Sequence, residues 1–110
     1  MLHDRRTFQV VTVPTADELA ERLVEHTWTA CTGFRLGELL LLNDSTSEDG
    51  AQEYAVLRGS RQVESLTVSW CTRERLSARL EALHAGEGTV DMGEVHGLEE
   101  HPAGVCEACA

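Results

Sequence analysis

Four side chains that commonly bind metal ions lie close together near the end of this 110-residue chain. They are His96, His101, Cys106 and Cys109, in the pattern H-x4-H-x4-C-x2-C. Tetrahedral zinc accepts Cys thiolates and His nitrogens, and a C-x2-C turn lets two thiolates reach one ion. Glycine and proline residues between the four favour the turns that a chelating loop needs. The sequence therefore predicts a structural zinc site formed by these four residues.

Two other interpretations of the same cluster stay open. The order His, His, Cys, Cys reverses the common zinc-finger order, and a second C-x2-C pair is absent from the sequence. The residues could therefore be incidental in an acidic tail, or Cys106 and Cys109 could be the attacking and resolving thiols of a redox site. Glu107 lies between these cysteines. A nearby carboxylate disfavours the reactive thiolate, so the redox interpretation is the weaker one.

A metal-dependent hydrolase is the enzymatic alternative. It would use three of the tail ligands, an exchangeable water in the fourth position, and Glu99 or Glu100 as the general base. A closed site with four protein ligands has no open position for water. The preferred site therefore predicts a small non-catalytic interaction or regulatory protein.

The other two cysteines, Cys31 and Cys71, lie beside predicted strands. A free cysteine in that setting is commonly a small buried apolar residue, so we expect both in the core. Two alternatives stay open: one of these cysteines completes the metal site, or the two form a disulfide.

Composition restricts the partners of the protein. The chain carries 19 acidic and 9 basic residues, a formal net charge of -10, which excludes nucleic-acid binding through a basic surface. Its longest apolar run, Leu39 to Leu42, is far shorter than the roughly 20 residues of a membrane-spanning helix. Without a membrane segment or a secretory apolar stretch, and with cysteines suited to a reducing compartment, we expect a cytoplasmic protein. A basic protein partner or a second copy of the chain is expected.

The elements that position the cluster follow from the pattern of apolar residues. Alternation predicts strands, and helical spacing after Thr15 and Thr72 predicts two capped helices. Gly59 and Ser60 suit a two-residue hairpin, and Gly33 and Gly37 are expected to join two earlier strands. The strands are predicted at 7–13, 28–32, 38–43, 52–58 and 62–70, and the helices at 16–26 and 73–85.

This order, β-α-β-β-β-β-α, predicts an α+β fold. We expect a two-layer sandwich of a mainly antiparallel sheet with two helices on one face, formed by residues 1–86. The exposed edge of the first strand, Thr7 to Val13, could pair with its copy in a homodimer.

Residues 87–110 form a separate acidic segment with six acidic and no basic residues. Its few apolar side chains bury too little surface to offset the backbone entropy that the segment would lose on becoming ordered. We therefore expect packing on the body, a partner chain or a metal ion to fix this segment.

Overall fold

The structure, a computed structural model, describes residues 6–25, 32–46, 52–68, 72–95 and 98–100. They form a mainly antiparallel sheet and two helices, which confirms the predicted α+β class. The elements are β1 (Arg6–Thr12), α1 (Ala16–Glu25), β2 (Thr32–Leu36), β3 (Leu39–Thr46), β4 (Gln52–Arg58), β5 (Arg61–Thr67), α2 (Arg73–His84) and β6 (Leu98–Glu100).

The sheet has the strand order β5-β4-β3-β2-β1-β6. The pairs β2–β3, β3–β4 and β4–β5 are antiparallel. Strand β1 pairs parallel with β2 on one side and parallel with β6 on the other. Parallel neighbours need a crossover connection, and α1 lies within the connection from β1 to β2. β1 therefore lies between two strands, so the predicted exposed edge of the first strand was wrong where β6 pairs with it, at Arg6 to Phe8.

Strand β3 supplies apolar side chains to both faces of the sheet. Leu39 and Leu41 belong to the core cluster that includes the buried side of both helices. Leu40 and Leu42 belong to a second cluster on the opposite face. All four side chains are buried, as expected for a continuous apolar run in a strand that is covered on both faces.

The second cluster contains one residue from outside β1 to β5. That residue is Val95, which follows α2 and is buried against the opposite face of the sheet from the helices. The cluster consists of Phe8, Leu40, Leu42, Ala55, Leu57 and Val95, with Val10 partly buried beside them.

Two short hairpins close one end of the sheet. Gly37 and Glu38 join β2 to β3, and Gly59 and Ser60 join β4 to β5. Gly37 and Gly59 have φ values of 58° and 64°, which only glycine adopts without strain. The predicted hairpin at Gly59 and Ser60 is confirmed.

The prediction for β2 was wrong in position. The strand that pairs with β3 is Thr32–Leu36, so Gly33 lies inside the strand and not in a connection. The predicted strand at 28–32 lies outside the described residues except for Thr32. Gly33 is needed where it is because a Cβ there would lie 2.8 Å from the Leu42 Cδ2 and 3.2 Å from the Phe8 Cδ2.

Both helices begin at the predicted caps. The Thr15 hydroxyl accepts the amide of Glu18 at 3.2 Å, and the Thr72 hydroxyl accepts the amide of Arg75 at 3.3 Å. These bonds satisfy amides that have no carbonyl partner in the first turn. The second helix ends at His84, one residue earlier than predicted, and the last predicted residue of the first helix lies outside the described residues.

The tight approach at Gly33 gives a stability test. We expect Gly33→Ala to lower the free energy of unfolding by about 1 to 3 kcal/mol, because the new methyl overpacks two buried side chains. Adding Leu42→Val removes the nearest methyl, so the double variant should lose less than the sum of the single losses. Urea unfolding measures all four proteins, and strictly additive losses would contradict the proposed contact.

Candidate functional site

The four predicted zinc ligands, His96, His101, Cys106 and Cys109, lie outside the described residues. The described ranges contain no group of three or more His, Cys, Asp or Glu side chains that could hold a metal ion. The zinc site therefore stays a prediction. What the structure provides is the position of the chain immediately before His96 and immediately before His101.

Residues 88–95, here called the β5 strap, lie along the outer edge of β5. Ladder-like backbone hydrogen bonds of 2.7 to 3.0 Å join them to β5 and its preceding turn. The Val90, Met92 and Val95 amides donate to the Val63, Gln62 and Ser60 carbonyls, and the Gln62 amide donates to the Gly93 carbonyl. We expected packing on the body, a partner chain or a metal ion to fix the acidic segment. Packing on the body fixes residues 88–95.

Ionic contacts add to the backbone bonds of the β5 strap. The Arg61 guanidinium donates to both carboxylate oxygens of Asp91, at 2.7 Å for the shorter contact. The Ser60 hydroxyl donates to Glu94 at 3.1 Å, and Arg79 donates to the Gly88 carbonyl at 2.9 Å. Arg61 of the body thus offsets part of the negative charge of this segment.

The hydrogen bonds from Arg61 and from the Gly93 amide hold the pKa of Asp91 below its usual value. Both donors stabilise the ionised carboxylate. The Asp91 contribution to stability is consequently present above the ordinary aspartate pKa of 3.8 and is lost as the pH falls through the lower folded value.

Strand β6 fixes the chain on the other side of His96. Its residues pair parallel with β1, and Glu100 is the Cα partner of Phe8. His101 is the next residue in the sequence. The two predicted histidine ligands therefore follow directly on Val95, which is buried in the second cluster, and on Glu100, which is paired in the sheet.

The remaining predicted site residues are placed in part. Cys31 and Cys71 lie outside the described residues, so their role stays a prediction. Glu99 and Glu100, the bases of the hydrolase hypothesis, lie in β6 opposite Thr7 and Phe8. Among the described ranges the structure brings no nucleophile together with a base or metal ligand at these positions.

Buried polar side chains form a feature that the sequence did not reveal. The hydroxyl of fully buried Tyr54 donates to the Gln52 Oε1 at 3.1 Å, and burial raises the pKa of this tyrosine. Gln62 is also fully buried. Its amide nitrogen donates to the Glu64 carbonyl, but its Oε1 has no hydrogen-bond partner among the residues that the structure describes. The alternation of side-chain direction along β4 and β5 could have predicted that these side chains face inward.

A shallow depression lies between the two hairpin turns. Residues on both turns and on the strands beside them form its lining, and its volume is about 590 Å³. The lining contains two arginines, one glutamate, one leucine and two glycines: Arg35, Arg58, Glu38, Leu40, Gly37 and Gly59. Sequence reasoning missed it because its members come from three strands.

No family model, curated protein or solved structure matches this chain. No helix in the described ranges is long and apolar enough to cross a membrane.

The Arg61 and Asp91 contact gives a pH-dependent test. We expect Asp91→Asn to lower the urea midpoint at neutral pH and to have little effect well below pH 3.8, where the native carboxylate is protonated too. Glu87→Gln is the control, because it removes the same charge from an exposed position nearby. Equal effects of the two variants at neutral pH would contradict a specific role for the contact.

Proposed function

We propose that this protein is a small non-catalytic interaction or regulatory protein whose C-terminal segment binds structural zinc. The ligands are His96, His101, Cys106 and Cys109. In this proposal the ion fixes the end of the chain against the body and so completes a surface for a protein partner or a second copy.

One observation carries the proposal: the backbone is held on both sides of His96 and directly before His101. Val95 donates its amide to the Ser60 carbonyl, and residues 98–100 pair with β1. A loop whose ends are already held loses less conformational entropy when its side chains converge on an ion. The anchors thus lower the entropic cost of forming the site.

The extended conformation of β6 sets a condition on this site. Successive side chains of a strand point to opposite faces, so residues five apart, such as His96 and His101, would face opposite ways along a straight chain. A common ion therefore requires a bend beside β6. Gly97 and Pro102, which flank this strand, are residue types found at such bends.

The charge of the body favours a basic partner. Along α1, the side chains of Glu21 and Glu25 are exposed, and Asp17 is exposed but pairs with Arg73 at 2.6 Å. An acidic surface raises the association rate with a positively charged protein through long-range attraction. A cytoplasmic location, where thiolate ligands remain reduced, fits a zinc-bound C-x2-C pair.

Metal content tests the proposal. Native mass spectrometry of the untagged full chain should give about one zinc per chain, and Cys106→Ser with Cys109→Ser should abolish it. Cys31→Ser and Cys71→Ser are matched controls that should keep the metal. The same spectra report whether the chain forms a homodimer.

Hydrogen exchange distinguishes a structural ion from a catalytic one. If zinc is structural, its removal with a chelator should speed amide exchange at residues 98–100, and each ligand variant should do the same. Metal-free native protein with four reduced thiols would overturn the proposal. Zinc binding that survives loss of His96, with an activity that depends on Glu99 or Glu100, would favour the hydrolase instead.

A further inference from the structure

The lining of the depression between the two hairpin turns combines cationic and apolar side chains. Leu40 is buried, and Arg35, its Cα partner on β2, is half-buried. Both residues lie on the face of the sheet that carries the second cluster. A cation beside apolar surface suits a ligand that combines one anionic group with an apolar body.

The two arginines of the depression are engaged differently. One nitrogen of the Arg58 guanidinium donates to Glu38 at 2.7 Å, and the other donates to the carbonyls of Leu83 and His84 at the end of α2. In the described part of the chain, no hydrogen bond or ion pair engages the Arg35 guanidinium. Arg35 therefore has its donors available to a ligand.

The charge balance of the lining limits the charge of that ligand. Two guanidiniums and the Glu38 carboxylate leave one positive charge in excess. A monoanion compensates this excess, whereas a dianion would leave negative charge uncompensated beside Glu38 in a chain of net charge -10. The planar guanidinium fork matches the two oxygens of a carboxylate.

We propose that the depression between the hairpin turns binds a small organic carboxylate, with Arg35 holding the carboxylate and Leu40 contacting its apolar body. This binding site is independent of the zinc site, because its lining lies in β2, β3, β4 and the turns between them.

The experiment is a titration of the isotopically labelled full chain with sodium hexanoate, followed by amide and methyl NMR. Saturable shifts are expected at Gly37, Glu38 and Gly59 and at the Leu40 methyls. Arg35→Gln should weaken binding at least about tenfold, since a hydrogen bond to a charged group contributes on the order of 1.5 to 3 kcal/mol. Arg75→Gln, an exposed arginine on α2, is the charge-matched control and should leave the affinity unchanged.

Two further probes sharpen the outcome. Hexylamine, with the same apolar body and the opposite charge, should give no saturable shift at the turns, and inorganic phosphate should bind more weakly than hexanoate. Shifts that Arg35→Gln leaves unchanged, or a stronger response to phosphate, would overturn the proposal. Absence of saturable shifts with hexanoate in the folded wild-type chain would overturn it as well.

Discussion

The structure depends on a central strand that must be covered on both faces. The four leucines of β3 send two side chains toward the helices and two toward the opposite face, and all four are buried. The first pair belongs to the core cluster that also contains the buried residues of α1 and α2. The second pair must be covered by other residues, because apolar surface left exposed to water costs about 25 cal/mol per Å².

The chain after α2 contributes to meeting this second requirement. Val95 joins the second cluster immediately after the β5 strap has paired with one edge of the sheet, and β6 then pairs with β1. The strap thus covers the edge of β5, and β6 covers β1 at Arg6 to Phe8, where unpaired strand edges otherwise invite association. Asp91 of the strap pairs with Arg61 and Glu94 accepts a hydrogen bond from Ser60, so the negative charge of the strap is compatible with its packing on the body. The proposed zinc ligands begin directly after this anchored stretch.

Local features could be predicted from the sequence because their causes are local. A threonine before each helix and the glycine of the second hairpin specify caps and turns through residues only a few positions apart. The position of β2 could not be predicted, since Gly33 reads as a turn residue until Leu42 and Phe8 are known to pack against it. Strand order, β6 and the depression at Arg35 depend on residues distant in the chain. The spacing of apolar residues within one segment does not indicate which distant segments it contacts.

The central claim is that the β5 strap and Val95 are part of the folded unit formed by residues 6–86. The most direct test compares urea unfolding of the full chain, a chain ending at Glu100 and a chain ending at Gly86. The account predicts that the chain ending at Glu100 keeps a cooperative transition, because the strap, Val95 and β6 remain. The chain ending at Gly86 should unfold at lower urea and bind an apolar dye, because the second cluster loses its cover. An unchanged midpoint without dye binding in the chain ending at Gly86 would contradict the claim.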